Sequence, residues 1–493
     1  MITLIVLFVL FMICISMIWN WSQTSELSGI PAVKPRWPLF GNALFFDLTK
    51  THIVLTELAQ KYGPVFRIKL YGDEIVVLND YKSIYSALVA NGNEVAGRPS
   101  MYRTEHADRN RNSIVWQTYT PKLKMLRKEV HKSLRMFGDG LNSLEDKCFP
   151  EVEALIARIR DTDGHPFDPW DYIYDTTCNV MLLLLLGVRF SYTGDELTQL
   201  KEISRLFNHT FGSGSGSRLD VIPWLHILRN QDFSVLKSAL KLRNSFWEDR
   251  IKDLPIKNDS VVADLLRLTE NPGIDVTETT VKETFTNLIL AGTDTTATAM
   301  TCLLLILIHR PEVQDRLQAE LDTVVGQKRK PCLADRAVMP YFEACVLELL
   351  RYISHVPLAV PHSTISDTYI EEHKIPADTT IYINLWAMHH DASFWNDPWV
   401  FQPERFLDEH GCILPPQHEF RRRVMAFGAG RRVCLGEVLA KNRLFLFVSA
   451  ILQNFSFEAA DIQSIPDMDP RTYSLGLVLH PGRFKLKAKR RDR

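Results

Sequence analysis

Of the eight cysteines in the chain, Cys434 has the setting that invites chemistry. It lies in Phe427-Gly428-Ala429-Gly430-Arg431-Arg432-Val433-Cys434-Leu435-Gly436, and residues 437–447 then carry the apolar spacing of a buried helix. A loop feeding a helix N-terminus favours a thiolate. The helix dipole and nearby cations lower a thiol pKa, and glycines let the backbone approach a large flat ligand and aim N–H groups at the sulfur. One cysteine cannot complete a tetrahedral zinc site or a conventional iron–sulfur cluster, but it can supply the fifth ligand of a haem iron. The competing reading is an inert core cysteine.

A second stretch carries an acid and an alcohol. Residues 282–309 read as one long helix containing Ala291-Gly292-Thr293-Asp294-Thr295-Thr296. An interior glycine costs a helix about 1 kcal/mol relative to alanine, and three threonines weaken it further. Local disruption beside polar groups points to function. Above an iron, Gly292 would leave room for dioxygen, Thr295 would hydrogen-bond the distal oxygen and Asp294 would feed protons inward. Cleaving an O–O bond there needs two protons and electron donation from the opposite side. The alternative, a polar patch on a solvated helix, is opposed by the apolar runs at 288–290 and 303–307.

Phe427, Gly428, Gly430, Arg432, Cys434 and Gly436 together resemble the haem-binding loop of the cytochromes P-450, the haem-thiolate monooxygenases. Ala291 to Thr296 resembles the oxygen-binding signature of that family. Glu348-Leu349-Leu350-Arg351 and Pro403-Glu404-Arg405-Phe406 follow in the family's order. The resemblance implies a mainly α fold with small β-sheets, preceded by one N-terminal transmembrane helix, and heme b (iron protoporphyrin IX) with Cys434 as axial ligand. It assigns Asp294 and Thr295 to proton delivery, Arg127, Arg432 and His362 to the haem, and Glu348, Arg351 and Arg405 to a buried charge network. Residues 122–135 form a basic amphipathic helix that would face a flavoprotein. Leu123 stands where the family usually has tryptophan, which puts one propionate contact in doubt; Trp116, two turns upstream, is no obvious substitute. Electrons would come from NADPH through NADPH–cytochrome P-450 reductase, with cytochrome b5 a further candidate partner.

These residues need a frame. At 493 residues the chain has no Gly/Ser linker that divides it, and 46% hydrophobic residues with a net charge of −1 describe a globular body with no general attraction to nucleic acid. The scattered cysteines suit a reducing compartment. Residues 1–21 read as an uncleaved membrane anchor in the endoplasmic reticulum, 22–42 as a polar, proline-rich hinge and 43–493 as the catalytic domain, cytosolic because Lys34 and Arg36 follow the apolar stretch. Residues 65–70 and 75–78 read as a β-hairpin turning through Tyr71-Gly72-Asp73-Glu74. Residues 356–362 and 380–384 read as short strands, and 473–479 as a hairpin. Ala291, Val356, Leu358, Val360 and Leu475 are the expected substrate-pocket residues. Phe207 to Phe211, the Gly/Ser run at 212–217 and Val221-Ile222-Pro223-Trp224-Leu225 read as a cover over the access channel.

The expected reaction is insertion of one oxygen atom into an apolar polycyclic compound. Val360-Pro361-His362-Ser363-Thr364 is most similar to the aryl-hydrocarbon-oxidising branch, and Ile383-Asn384-Leu385-Trp386-Ala387 to steroid 17-alpha-hydroxylases. Two other classes remain open at this point: a same-fold isomerase or dehydratase acting on a lipid peroxide, and a non-enzymatic haem protein that binds a lipid or gas.

Overall fold

The computed structural model describes residues 7, 8, 10–12, 14, 15 and 26–491, apart from 38–39, 44–45, 71–72, 109, 135–139, 213–217, 222–229, 257–258 and 272. The anchor stretch, the Gly/Ser run, most of 221–225 and Arg135 therefore lie largely outside the described residues. Its described helices of nine residues or more are α1 Thr51–Tyr62, α2 Pro121–Ser133, α3 Gly140–Arg160, α4 Pro169–Leu185, α5 Asp195–Phe211, α6 Gln231–Phe246, α7 Val261–Thr269, α8 Glu278–His309, α9 Pro311–Val324, α10 Pro340–Ile353 and α11 Glu437–Asn454. The strands are short: β1 Val65–Leu70, β2 Asp73–Leu78, β3 His362–Ser363, β4 Thr368–Ile370, β5 His373–Ile375, β6 Thr380–Ile383, β7 Phe455–Ala459, β8 Ser474–Leu475, β9 Leu479–His480 and β10 Leu486–Arg490. The fold is mainly helical with small sheets, as expected.

The main sheet has the order β1-β2-β6-β3. β1 and β2 pair antiparallel from Val65↔Leu78 to Leu70↔Asp73, so Asp73 and Glu74 belong to the second strand and not to the turn. Phe66, Ile68 and Val77 face one apolar cluster, while Val65, Val76 and Leu78 face another. β1 alternates, with Arg67 and Lys69 between Phe66, Ile68 and Leu70, whereas β2 is apolar from Ile75 to Leu78, where both its faces are buried. β2 pairs parallel with β6, Val76 opposite Ile381, across some 300 residues of intervening chain. Residues 31 and 33 lie along β1, where the Arg67 N–H donates to the Pro31 carbonyl at 2.8 Å.

α8 is the axis of the body. A reciprocal cap starts it: the Thr277 hydroxyl accepts from the Thr280 N–H, and the Thr280 side chain accepts from the Thr277 N–H. Phe285, Ile289, Leu303, Leu304 and Ile306 then bury it in the largest cluster, with α4, α9, α10 and α11 packed around it. Its helix is continuous from end to end, as the reading of one long helix expects, and Gly292 does not interrupt it. A Cβ on Gly292 would fall 2.6 Å from Met181 Cε, so the missing side chain is filled by α4 and is not left open for a small ligand. α8 is also the one helix among the described residues that is long and apolar enough to cross a bilayer, and it is a buried core helix.

One local reading changes. Of residues 356–362 only His362 joins a strand, because Pro357, Pro361 and the left-handed Ala359 (φ +52°) prevent a regular extended run. By contrast 380–383 and the 473–480 hairpin form as expected.

Candidate active site

The cysteine loop is fixed by its own backbone. The Cys434 N–H donates to the Phe427 carbonyl at 3.0 Å, and the Gly428 N–H to Met425 at 2.8 Å. Gly430 has φ +67°, and a Cβ there would lie 1.7 Å from the Leu88 carbonyl oxygen, so no side chain fits. Cys434 lines a cavity of about 360 Å³ together with Phe427, Gly428 and Gly436. Burial raises its thiol pKa, against the opposing pull of the Gly436 N–H and Arg127. That reverses the expected depression: desolvation of the thiolate outweighs the loop's positive groups when no cation sits against the sulfur.

Above the loop, three guanidiniums converge on the same cavity: Arg98, Arg127 and Arg432. Arg98 donates to the Val115, Val360 and Pro361 carbonyls, Arg127 to Val433 at 2.5 Å, and Arg432 to Ala96 and Gln117. Among the described residues none of the three has a carboxylate partner. Burial, then the other cations, pushes the Arg98 pKa well down. Such a cluster calls for an anion that the chain itself does not provide. His362 lines the cavity too, with Nδ1 2.8 Å from the Val95 carbonyl; a carbonyl only accepts, so Nδ1 carries the proton. Arg98 escaped the sequence reading because an arginine between two loops has no motif around it. Leu123 is fully buried, and Trp116 stands in the cavity wall against Phe211, ring centroids 5.9 Å apart.

The far wall is α8. Ala291, Gly292, Asp294, Thr295 and Thr296 all line the cavity. The Thr295 hydroxyl donates to the Ala291 carbonyl at 2.7 Å, which leaves its oxygen free to accept. Asp294 Oδ2 lies 3.3 Å from His480 Nε2, a partner that sequence spacing could not reveal. Of the expected pocket residues, Ala291, Val356 and Val360 line this cavity. Leu358 does not: it is buried in the cluster of Phe46 and Phe66 behind the sheet. Leu475 lines a separate cavity on the other side of Asp294, and Leu477 and Val478 take its place. The hairpin was anticipated but its facing was offset, since Gly476 turns against Asn208.

The cytochrome P450 family model matches residues 31–488. This chain belongs to that family. It is 33% identical to the steroid 17-alpha-hydroxylase/17,20 lyase of Gallus gallus, over 95% of this chain and 94% of the relative. It is 31% identical to cytochrome P450 2C16 of Oryctolagus cuniculus, over 98% of both, and 32% identical to cytochrome P450 1A1 of Felis catus, over 88% and 86%. The chain is a P450 monooxygenase, and the family implies a haem cofactor.

Behind the P450 loop, Glu348 and Arg351 on α10 are fully buried. Arg351 grips the carboxylate with two bonds of 2.7 Å, and Arg405 Nε reaches Glu348 Oε1 at 3.2 Å. The Gln402 N–H fills the same oxygen at 2.9 Å. Arg405 also donates to the Asn396, Asp397 and Val400 carbonyls. The link from this network to the cysteine loop is His389, which the sequence reading missed. Arg351 Nη1 donates to the His389 carbonyl at 2.8 Å, His389 Nδ1 bonds the Ser354 hydroxyl, and His389 Nε2 accepts from the Met425 N–H at 3.1 Å. Burial, then Arg351, holds the His389 pKa down at about 3, so the ring stays neutral and able to accept.

Proposed function

We propose that this P450 inserts one atom of dioxygen into an apolar polycyclic substrate, a steroid or a planar aromatic, using electrons from NADPH delivered by NADPH–cytochrome P-450 reductase, with cytochrome b5 as a further donor. The observation that carries the reading is the cavity bounded by Cys434, by Asp294 and Thr295, and by the guanidiniums of Arg98, Arg127 and Arg432, which among the described residues have no carboxylate partner. Those cations suit the propionates of heme b, and Cys434, in a loop where Gly428 and Gly436 line the cavity without side chains, suits its iron. Arg98, Arg127 and Arg432 would hold the propionates. His362, whose Nδ1 proton is already engaged, would donate through Nε2 only as the imidazolium. Its pKa, held well down by burial and Arg98, would therefore have to rise on loading.

Bound there, haem supplies two-electron activation of dioxygen, the chemistry that a thiolate ligand promotes. The protein's own part is to orient substrate, exclude water and deliver protons. Ile114, Phe207, Phe211, Val356, Val360 and Val478 present apolar surface to a substrate. Thr295, with a free acceptor lone pair, would hold a water, and Asp294 would supply protons beside it. Glu348, Arg351 and Arg405 would fix the loop through His389. Residues 1–21 would cross the endoplasmic reticulum membrane, and 22–42 would lead to a cytosolic catalytic domain at 43–493.

Near-equal identity to a steroid hydroxylase and to a P450 1A1 leaves the two substrate shapes level. Titrating the purified ferric protein with a C21 steroid and with a planar polyaromatic hydrocarbon separates them: the true class shifts the Soret band toward high spin, and the other leaves it. With reductase present, NADPH consumption and labelled oxygen in the product test the monooxygenase assignment. A protein that consumes no NADPH yet converts a lipid hydroperoxide would overturn it.

A further inference from the structure

Two cavities meet at Asp294. Ser204 and Asn208 from α5 and Asp294 from α8 line both. The first cavity is largely apolar. The second, of about 620 Å³, opens among exposed charged side chains, Arg205 at 66% and Arg483 at 55%, and so reaches solvent. His480, at the end of β9, stands on that second side: Nε2 is 3.3 Å from Asp294 Oδ2, Nδ1 is 3.3 Å from the Thr298 hydroxyl, and the ring meets Trp170 edge-on. The other basic chains of this cleft are committed elsewhere. Arg483 pairs with Asp168 and Asp171, Lys201 with Asp171 and Asp175, and Arg205 with Glu202. Among the described residues no lysine or arginine pairs with Asp294.

We infer that His480 is the proton donor to Asp294, passing protons from the solvent-accessible cleft to the wall of the substrate cavity. The inference rests on the monooxygenase reading, which requires two protons per turnover. In each transfer the imidazolium Nε2–H bond breaks as an O–H bond forms on Asp294. The neutral ring then takes a proton from a water-borne acid in the cleft, and no electrons move. Asp294 releases the proton beside Thr295, its neighbour on α8. The groups around the ring are consistent with this direction. Asp294 attracts the imidazolium, and Asp168, Asp171 and Glu202 offset Lys201, Arg205 and Arg483 across the cleft, where His209 and the Tyr174 phenol also face. His355 behind is neutral at pH 7, because burial lowers its pKa to about 4.

His480→Gln keeps a donor beside Asp294 and cannot titrate; His480→Phe keeps only the ring volume. In the reductase-supported wild type, product formed per NADPH should fall as pH rises from about 6 to about 8. In His480→Gln it should be pH-independent over that range and lower by roughly tenfold at the acid end, less than the loss of a direct general acid because water still reaches Asp294. Released peroxide should rise to match, and the solvent deuterium isotope effect should grow. Independently of turnover, nitrogen-15 histidine NMR, assigned with His480→Phe, should show the His480 Nε2 resonance shifting in Asp294→Asn, as loss of the carboxylate 3.3 Å away requires. Wild-type-like coupling and pH profile in His480→Gln, or a His480 resonance that ignores Asp294→Asn, would overturn the role of His480 alone. A wild type that incorporates no oxygen would overturn the monooxygenase reading and this inference with it.

Discussion

The two sides of the cavity are built differently. On the cysteine side, Glu348, Arg351, Arg405, His389 and Met425 form one fully bonded chain from α10 to the loop, buried throughout, with both oxygens of the carboxylate in use. On the α8 side, the wall is assembled from α8 with residues of α4 and α5, and behind it, among the described residues, His355 Nδ1 and two nitrogens of Arg443, which reaches from α11 to Gly292 and Thr296, have no hydrogen-bond partner. One side is arranged to stay still. The other keeps donors and acceptors unspent beside a path to solvent, which is what moving protons requires.

The sharpest way to break this contrast is Glu348→Gln. It preserves size but leaves Arg351 and Arg405 as buried charges without a counter-ion, at a cost of about 3–5 kcal/mol. The expected outcome is protein that fails to load haem, seen as a lost Soret band and a lowered urea midpoint. A stable, haem-loaded variant would show that the network is not what holds the loop.

Next in size is an acid effect that touches both sides. His389 and His355 are held neutral, at about 3 and about 4, chiefly by burial. Below about 6.5 the unfolded rings take up protons that the folded rings refuse, so this stability is present above that pH and is lost as pH falls toward the folded values. At about pH 5 each ring costs about 2 kcal/mol. Glu283, whose burial raises it to about 7, works in the opposite sense over the same range. The test is therefore a difference: His355→Gln should lose about 2 kcal/mol less than wild type between about pH 7.5 and 5 in urea unfolding. Parallel pH curves would show that His355 is already charged.

A smaller effect separates chemistry from scaffold. Thr295→Ala removes a hydroxyl bonded only to its own helix, so stability should change by less than about 1 kcal/mol. Product per NADPH should drop by roughly tenfold, with peroxide taking up the difference. Unchanged coupling would take Thr295 out of the proton path.

The same contrast decides what the sequence could show. The cysteine loop and the Glu348-x-x-Arg351 pair are local patterns, and the buried ion pairs formed with the partners expected. α8 and the strands were legible from apolar spacing. Arg98, His389 and His480 were not, because each acts through contacts hundreds of residues away or across irregular chain, where periodicity carries no signal. The thiol pKa was misjudged for a related reason: positive groups near Cys434 are visible in sequence, whereas the desolvation that outweighs them is not. Gly292 was read for space when its Cβ direction is occupied by Met181.

The hairpin at 474–480 shows how a one-face error arises and gives the mildest prediction. Recognising a hairpin over 473–479 does not say which of its residues faces which cavity, because neighbouring side chains in a strand point to opposite faces. Leu475 lines the cleft outside Asp294, whereas Val478, 3% exposed, lines the cavity above Cys434 and has its N–H held by Asn208 Oδ1 at 2.8 Å. Val478→Phe should therefore crowd the substrate by about 1 kcal/mol, weakening the spectral Kd by a factor of about five. Leu475→Ala should leave that Kd unchanged. If Leu475→Ala shifted it and Val478→Phe did not, the substrate would bind on the cleft side of Asp294, and the division between a dry substrate cavity and a wet proton path would fall.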